Sequence, residues 1–334
     1  MAKNRQWLLS SRPTGEPTAE NFELVETDAP TAGTREVLVR TEYLSVDPYM
    51  RGRMRDAESY AEPWAVGDPM KAGVVGSVVE SEHPDFEAGD TVTGNLLWAD
   101  YAVADGDDLR PVDPDRGPIS TALGVLGMPG VTAYFGTTDV AEPTAGDTVV
   151  VSAAGGAVGS VVGQIAALSG CRVVGIAGAD EKIEWIESIG FDAGINYETA
   201  DVRERLRETC PDGVDVYFDN VGGPITDAVW PLLNVRSRVA VCGQISTYNA
   251  TETPTGPRKL MQLIQSRARV EGFLVRDYES RWDEALDRLS GWIESGDLEY
   301  EENVVEGLKN APEAFFGLFE GTNIGKQLVR VDRA

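Results

Sequence analysis

The chain has 334 residues, of which 55 are Asp or Glu and 29 are Lys or Arg, so its formal net charge at pH 7 is −26. Hydrophobic residues make up 42% of the sequence, which is typical of globular proteins and excludes a disordered or collagen-like chain. So negative a chain is a poor ligand for nucleic acids or acidic membrane surfaces, because both require a positive protein surface. We expect a folded chain of about two domains, at roughly 150 residues each, that binds neither nucleic acid nor membrane.

The charged and sulfur-containing residues bear on where the protein works. Lysine occurs at only six positions, so the basic residues are almost all arginine. Two hypotheses for the acidic excess stay open: adaptation to a high-salt cytoplasm, where screening weakens the self-repulsion, or an ordinary acidic protein. Three cysteines without paired spacing, and no apolar segment of signal-peptide or membrane-spanning length, predict a cytoplasmic protein with reduced thiols.

The first part of the chain, up to residue 123, has the texture of a β-rich domain. Short apolar or alternating runs at 36–40 and 73–80 predict strands. Clusters of Gly and Asp at 87–90 and 105–108 predict the turns between them.

From residue 124 the pattern changes to strands that alternate with helical segments, which is typical of βαβ units and a parallel sheet. The predicted elements are a helix at 130–136, a strand at 148–152, a helix at 159–168, a strand at 172–176 and a helix at 180–189. A last strand at 327–331 closes the chain, and we expect it to rejoin the first domain.

The segment between the strand at 148–152 and the next helix resembles a dinucleotide-binding turn. Against the pattern G-x-G-x-x-G it places Ala154, Gly156 and Gly159, so the first glycine is replaced. Gly156 lets the backbone approach a pyrophosphate, Gly159 lets helix and strand pack closely, and the helix N-terminus supplies N–H donors. The alternative is a tight strand-to-helix turn without a ligand.

The end of the next strand favours NADP(H) over NAD(H). An NAD-selective fold places an acidic side chain there to bind the ribose 2′-hydroxyl, and Ala177 and Gly178 cannot do this. Lys182 follows on the next helix and can meet the charge of a 2′-phosphate. A solvated surface lysine is the alternative.

The inventory of metal ligands and nucleophiles is short. The sequence has one histidine, His83, in a polar turn, and no C-x-x-C pair, so we expect no metal site and no zinc catalysis. We expect Cys171 and Cys242 to be small buried residues, since each lies at the end of a strand. The chemistry therefore falls to a bound cofactor.

Several ordered motifs resemble one enzyme family. They are LSVDPYMR at 44–51, GMPGVTAYFG at 127–136, AVGSVVGQ at 157–164, DNVGG at 219–223 and CGQISTYN at 242–249. These are similar to the zinc-free medium-chain reductases, most closely the prostaglandin reductase or leukotriene B4 12-hydroxydehydrogenase branch, which includes bacterial NADPH-dependent curcumin reductase. The matches extend to residue 326 and so cover nearly the whole chain.

The resemblance implies an α/β fold with three parts. These are a GroES-like β-rich catalytic domain at 1–123, a Rossmann doubly wound parallel-sheet domain that binds NADP(H) at 124–300, and a C-terminal return at 301–334. It also implies NADPH in the cleft between the domains, a homodimer, and reduction of the carbon–carbon double bond of α,β-unsaturated ketones and aldehydes. The substrate is then a small apolar enone or alkenal.

The resemblance also assigns roles to individual residues. Tyr248 and the nicotinamide ribose 2′-hydroxyl are the donors to the substrate oxygen, and a packing role is the alternative for Tyr248. The expected cofactor-binding residues are Gly156, Ala157, Val158, Gly159, Lys182, Tyr197, Asn220, Cys242, Gly243, Gln244, Ile245, Ser246, Tyr248, Phe273, Leu274, Val275 and Asn323. Tyr49, Tyr60 and Trp98 are candidates for the walls of a substrate pocket, with core packing as the alternative for each.

Two other functions remain open at this point. A quinone reductase uses the same cofactor and fold, although Tyr248 within the 243–249 segment favours the enone branch. A non-catalytic NADPH-binding protein is the second, because fold alone does not separate binding from turnover. A binding-only protein would be insensitive to Tyr248→Phe.

Overall fold

The structure, a computed structural model, describes residues 2–57 and 59–332. The chain divides into two compact units. Unit 1 comprises Met1–Gly124, Glu302–Asn323 and Gln327–Ala334, and unit 2 comprises Val125–Glu301 and Ile324–Lys326. Among the described residues, no helix combines the length and hydropathy needed to span a membrane.

Unit 1 is built on antiparallel strands. Its strands are β1 (Lys3–Leu9), β2 (Phe22–Asp28), β3 (Glu36–Ser45), β4 (Lys71–Ser81), β5 (Thr91–Leu97), β6 (Tyr101–Asp105), β7 (Arg110–Pro111), β14 (Glu302–Glu306) and β15 (Lys326–Arg330). Strands β1 and β2 form a two-stranded sheet, and the others form a sheet in the order β14-β15-β3-β4-β5-β7, with β6 also on β3. The α-helices in the described part of this unit are α1 (Met50–Arg53) and α9 (Ala311–Glu320).

An aromatic cluster fills the core of unit 1. The ring of Phe22 stacks on Trp98 with centroids 6.4 Å apart, and Phe315 meets the Trp98 ring edge-on at 6.3 Å. Edge-to-face and stacked contacts of this kind add to the area that the rings bury. Since the three rings come from β2, the residue after β5, and α9, they tie distant parts of the chain together.

Unit 2 is a parallel sheet between helices. Its strands are β8 (Thr148–Ser152), β9 (Arg172–Ala177), β10 (Ala193–Asn196), β11 (Val214–Asp219), β12 (Leu233–Val241) and β13 (Arg269–Gly272). Its helices are α2 (Met128–Phe135), α3 (Gly159–Leu168), α4 (Asp180–Ser188), α5 (Val202–Thr209), α6 (Gly223–Val229), α7 (Leu260–Ser266) and α8 (Trp282–Ser295). The strand order is β10-β9-β8-β11-β12-β13, and every pairing is parallel.

Both faces of this sheet are covered. Val149 and Val151 of β8 pack in one apolar cluster with residues of α3, whereas Val150 packs in a second cluster with residues of α5 and α6. A strand buried on both faces needs a continuous apolar run, which is what the valines of β8 provide. The β-rich unit and the parallel-sheet unit confirm the predicted fold class.

The chain order creates a switch point between β8 and β11. From β8 the chain moves outward through β9 and β10, and then returns to β11 on the other side of β8 and moves outward again. Open parallel sheets bind their ligands in the crevice at the carboxyl ends of such strands. The predicted strand at 148–152 and helix at 159–168 coincide with β8 and α3, which bound this crevice.

Candidate active site

The carboxyl ends of the strands of unit 2 carry most of the predicted cofactor residues. The turn at 153–158 follows β8, Tyr197 follows β10, Asn220 follows β11, the segment at 242–248 follows β12, and Phe273 follows β13. Since parallel strands end at the same edge of a sheet, these segments line one edge. Asn323 and the pocket candidates Tyr49, Tyr60 and Trp98 belong to unit 1.

The dinucleotide turn is closely packed. Ala153 has a positive φ of 49°, and the N–H of Gly156 donates to its carbonyl at 3.0 Å. A Cβ at Gly159 would overlap the carbonyl oxygen of Ala153 and lie 2.9 Å from Ala154 Cα. Only glycine at 159 therefore lets α3 begin this close to the strand that precedes it.

The alanine at the first fingerprint position has a partner in the neighbouring strand. Ala154 is fully buried, and a Cβ placed on Gly175 of β9 would lie 2.8 Å from the Ala154 methyl group. The missing Cβ of Gly175 therefore leaves the room that the methyl group of Ala154 takes.

Lys182 lies across the turn from the side of α4. A Cβ at Gly155 would lie 3.1 to 3.2 Å from the Lys182 Cβ, Cγ and Cδ atoms, so the lysine stem runs over this glycine. Burial lowers the pKa of the half-buried Lys182 ammonium. Within the described part of the chain, no carboxylate forms an ion pair with it.

Tyr197 packs on Gly178, the residue that follows β9. A Cβ at Gly178 would lie 2.7 Å from the Tyr197 hydroxyl oxygen and 2.9 Å from Cζ, so the acidic side chain of an NAD-selective fold has no space here. Burial raises the pKa of the Tyr197 phenol, with Glu198 adding to the shift. A cation at the start of α4 and a phenol after β10 thus lie at the carboxyl edge of the sheet, and both can donate to a phosphate.

Two loops meet beside the switch point. We name them the Asp219 loop (residues 219–223) and the Tyr248 loop (residues 242–248). The N–H of Ser246 donates to the Val221 carbonyl at 3.1 Å, and its hydroxyl donates to the same oxygen at 2.6 Å. The Ile245 N–H donates to Asn220 O at 3.4 Å. These three hydrogen bonds therefore fix the two loops relative to each other.

Tyr248 and Asn220 are both held by these loops and the strand ends. The Tyr248 hydroxyl oxygen accepts the Gln244 N–H at 3.4 Å, which places the hydroxyl over the backbone of its own loop. An oxygen that accepts this N–H still carries its own proton to donate. The Asn220 amide donates from Nδ2 to Ser152 O at 2.7 Å, and this bond spans the switch point from β11 to β8.

Phe273 follows β13, at the same carboxyl edge of the sheet. Its ring meets Phe218 edge-on with centroids 6.2 Å apart. A Cβ at Gly136 would lie 2.5 Å from Phe273 Cζ and 2.8 Å from Phe218, so glycine is needed there to seat the ring. Leu274 and Val275, the next two residues, are partly buried.

The pocket candidates of unit 1 differ in exposure. Tyr60 is 51% exposed, and Tyr49 is partly buried against the core of its unit, where burial raises the pKa of its phenol. Trp98 is fully buried between Phe22 and Phe315. A wall residue must present surface to its ligand, so the core position of Trp98 corrects its assignment to the pocket. Asn323 is 8% exposed.

The cysteines also require a correction. Cys210 is buried, whereas Cys171 and Cys242, which were expected in the core, are only partly buried. The reason is that both lie just outside their strands: Cys171 precedes β9 and Cys242 follows β12. At Cys171 the thiol contacts the Thr144 carbonyl oxygen at 3.3 Å.

Among the described residues, one group of His, Cys, Asp or Glu side chains has metal-binding spacing. It consists of His83, Asp105 and Asp107 in unit 1. The Arg35 guanidinium takes the place of a cation in this group, since its Nη2 lies 2.5 Å from Asp107 Oδ2 and 3.2 Å from His83 Nε2. The expectation of metal-free chemistry stays a prediction.

Sequence reasoning gave no role to the side chain of Asp219. It is 1% exposed, at the carboxyl end of β11. Its oxygens accept hydrogen bonds from Ser152, Tyr217, Val221, Gly222 and Thr226. The available signal was a carboxylate that ends an apolar strand directly before the Asn-Val-Gly-Gly turn.

Comparison with known proteins gives matches along the chain. Residues 5–112 match the family described as the N-terminal domain of oxidoreductase, and residues 157–291 match the family described as zinc-binding dehydrogenase. The second matched segment contains the three cysteines but no histidine.

Relatives cover the full length. The chain is 48% identical over 335 residues to NADPH-dependent curcumin reductase of Escherichia coli (strain K12), covering 98% of this chain and 97% of that protein. It is 44% identical over 338 residues to 2-alkenal reductase (NADP(+)-dependent) of Nicotiana tabacum, covering 99% and 98%. The crystal structure of CurA in complex with NADPH from Vibrio vulnificus superposes with a TM-score of 0.94 at 48% identity, covering 99% and 100%. The chain therefore belongs to the zinc-free branch of the medium-chain dehydrogenase/reductase superfamily that contains prostaglandin reductase and NADPH-dependent curcumin reductase.

Proposed function

We propose that this protein uses NADPH to reduce the carbon–carbon double bond of small apolar α,β-unsaturated ketones and aldehydes. The observation that carries the proposal is the Tyr248 hydroxyl, which is fixed over its own loop at the edge of the sheet where the dinucleotide turn lies. The names of the relatives support the same chemistry, since one is a 2-alkenal reductase and another an NADPH-dependent curcumin reductase.

The residues of unit 2 fit NADPH. Gly156 and Gly159 keep the turn free of side chains where α3 begins, so that backbone N–H groups can face a pyrophosphate. Lys182 and Tyr197 would hold the 2′-phosphate, and the remaining predicted residues of the Tyr248 loop would surround the nicotinamide half. When bound, NADPH supplies the hydride that adds to the β-carbon of the substrate.

Tyr248 supplies the complementary function. As the β-carbon gains a hydride, negative charge collects on the substrate carbonyl oxygen, and a donor at that oxygen lowers the barrier. The Tyr248 hydroxyl is the candidate donor, because the Gln244 N–H orients its oxygen and a neutral phenol can donate a hydrogen bond to a growing oxyanion. A proton must then reach the α-carbon to complete the reduction. Tyr49 and Tyr60 of unit 1 remain the proposed pocket residues.

The test is NADPH oxidation in molar KCl with an alkenal, an alkenone, a quinone and a saturated aldehyde, each repeated with NADH. We expect turnover of the alkenal and the alkenone, a preference for NADPH, and a saturated carbonyl product by mass spectrometry. Turnover of the quinone alone would replace this proposal with quinone reduction. NADPH binding without turnover of any substrate would indicate a binding protein.

We also propose that the protein is a homodimer assembled through the free edge of the parallel sheet. Strand β13 ends the sheet, and α7 beside it exposes Leu260, Met261 and Ile264 by 67%, 63% and 70%. Unpaired strand edges and apolar patches favour association, and two-fold pairs are the most common oligomers. Light scattering should give twice the chain mass, and Ile264→Asp should shift it to the monomer.

The cysteines and the net charge support two further proposals, one about the location of the protein in the cell and one about the salt concentration around it. The three free cysteines support a reducing, cytoplasmic location, which detection in fractionated cells of the source would test. The net charge of −26 supports adaptation to high salt, so the melting temperature should rise between low and molar KCl. A melting temperature that does not change with KCl would exclude the second point.

A further inference from the structure

The carboxylate of Asp219 is buried at the switch point of the sheet. It is 1% exposed, and its Oδ1 accepts bonds from Tyr217 Oη at 2.9 Å, Val221 N at 3.0 Å and Gly222 N at 2.8 Å. Its Oδ2 accepts the Thr226 hydroxyl at 2.6 Å. The Ser152 hydroxyl also donates to Oδ1, at 3.3 Å. A buried carboxylate needs several donors to offset the loss of hydration, and five are found for this one among the described residues.

The donors to Asp219 fall into two groups. Ser152, Tyr217 and Thr226 donate from side chains of β8, β11 and α6, and they stabilise the carboxylate from within the fold. Val221 and Gly222 donate from the backbone of the Asp219 loop, and Gly222 has a positive φ of 72°. The carboxylate therefore fixes a turn whose backbone conformation side-chain-bearing residues rarely adopt.

The backbone of Asp219 holds the second loop. Its carbonyl oxygen accepts the N–H of Cys242 at 2.9 Å and the N–H of Gly243 at 3.1 Å. One residue thus binds the Asp219 loop through its side chain and the start of the Tyr248 loop through its main chain. Ser246 and Val221 continue the contact between the loops toward Tyr248.

We propose that Asp219 is a positioning residue for the reaction: its carboxylate fixes the Asp219 loop, and through it the Tyr248 loop, in the shape that receives the nicotinamide half and orients the Tyr248 hydroxyl. This inference rests on the proposed function. The 2′-phosphate half is recognised elsewhere, by Lys182 and Tyr197 after β9 and β10, and neither residue contacts the Asp219 loop through a bond in the described structure. The two halves of the cofactor can therefore be tested separately.

Two substitutions remove the carboxylate to different extents. Asp219→Ala leaves the Val221 and Gly222 N–H groups without their acceptor, so the turn loses its fixed shape. Asp219→Asn keeps one acceptor oxygen for these N–H groups and places an amide beside Thr226, whose hydroxyl can accept from it. We therefore expect a graded effect, with the alanine variant more impaired than the asparagine variant.

Asp215 provides a matched control on the same strand. It lies four residues earlier in β11, at the opposite edge of the sheet, and also accepts a backbone N–H, from Thr148 at 2.9 Å, and a side-chain amide, from Asn234 at 2.9 Å. Asp215→Asn disturbs the same strand without touching either loop. It reports the effect of a lost carboxylate on stability alone.

The experiment compares three readouts for the wild type, both Asp219 variants and Asp215→Asn. These are the Kd of 2′,5′-ADP, the Kd of NADPH, and the single-turnover rate with an alkenal at saturating NADPH. For Asp219→Ala we expect an unchanged Kd for 2′,5′-ADP, a weaker Kd for NADPH and a rate lower by about 100-fold, since misplacement by about 1 Å has effects of this size. Asp219→Asn should lose about tenfold, and Asp215→Asn should keep the wild-type rate.

Several outcomes would overturn the proposal. An Asp219→Ala rate within about threefold of the wild type, with only a lower melting temperature, would make the carboxylate a purely structural residue. A loss of 2′,5′-ADP binding equal to the loss of NADPH binding would point to general unfolding. If Asp219→Ala does not fold, Asp219→Asn decides between the same outcomes. If the wild type does not turn over the alkenal, the proposed function fails, and the ratio of NADPH to 2′,5′-ADP affinity still tests the positioning of the loops.

Discussion

Replacing Lys182 with methionine tests whether its ammonium recognises the 2′-phosphate. Methionine keeps an unbranched apolar stem, which can lie over Gly155 as the lysine stem does, and removes only the charge. Since no carboxylate among the described residues pairs with Lys182, the substitution breaks no ion pair within the protein. Fold and stability should therefore stay close to those of the wild type.

The expected magnitude follows from the surroundings of the lysine. A hydrogen bond to a charged group contributes about 1.5–3 kcal/mol, and 1.4 kcal/mol corresponds to a tenfold change. Lys182 is half-buried, so water screens its charge less than that of an exposed lysine. The loss of binding free energy should therefore fall in this range rather than in the lower range measured for exposed ion pairs. We expect Lys182→Met to lower kcat/KM for NADPH by about 10- to 150-fold and to leave the value for NADH unchanged.

The pH dependence gives a second test of the same residue. Burial lowers the pKa of Lys182, so its positive charge is lost at a lower pH than in an exposed lysine. A phosphate favours the charged form, and the affinity for NADPH should therefore fall as the pH rises through this lowered pKa. The affinity of Lys182→Met should not follow this trend.

Steady-state kinetics with both cofactors is the assay, and Lys309→Met is the control, because Lys309 is an exposed lysine of unit 1. An equal loss with NADPH and NADH would mean that Lys182 supports the fold rather than the phosphate. A change of less than about twofold with NADPH would refute the assignment altogether.

Three further substitutions or modifications have defined outcomes. Tyr248→Phe should lower kcat by about 100-fold with an unchanged Kd for NADPH, and an unchanged kcat would remove Tyr248 from the chemistry. Burial, and then Asp219, raise the pKa of the Cys242 thiol to about 12; at neutral pH N-ethylmaleimide should therefore label Cys242 far more slowly than an exposed cysteine, by peptide mass spectrometry, and rapid labelling would contradict this. Gly159→Ala should destabilise the protein by about 1–3 kcal/mol in denaturant unfolding, because its Cβ meets the Ala153 carbonyl, and wild-type stability would show that the turn can yield.

The sequence predicts the parallel-sheet unit well because its signals are local. The valines of β8, the glycines after it and the apolar residues of α3 lie within 21 consecutive residues, and their order alone implies a strand, a tight turn and a helix. The position of Lys182 and the absence of an acidic residue at 178 are local signals of the same kind.

The remaining features depend on residues far apart in the chain. Trp98 is buried because Phe22 and Phe315 pack against it, and no sequence pattern around residue 98 indicates those partners. The role of Asp219 depends on the Cys242 and Gly243 N–H groups, which reach it only after β12 pairs with β11. Contacts of this sort follow from topology, and a sequence pattern cannot show them.

The contact between Ala154 and Gly175 changes what the dinucleotide fingerprint means in this chain. Where the fingerprint pattern has a glycine, Ala154 carries a methyl group. The room for this methyl group comes from Gly175 in the adjacent strand β9, which has no Cβ. The constraint is thus a volume shared by the turn and β9. The side chain of Ile186 also borders this volume, since a Cβ at Gly175 would lie 2.4 Å from Ile186 Cδ1. Gly175→Ala should therefore destabilise the protein even when residue 154 is glycine. A search that counts only the glycines within the turn misses Gly175, because it lies 21 residues after Ala154.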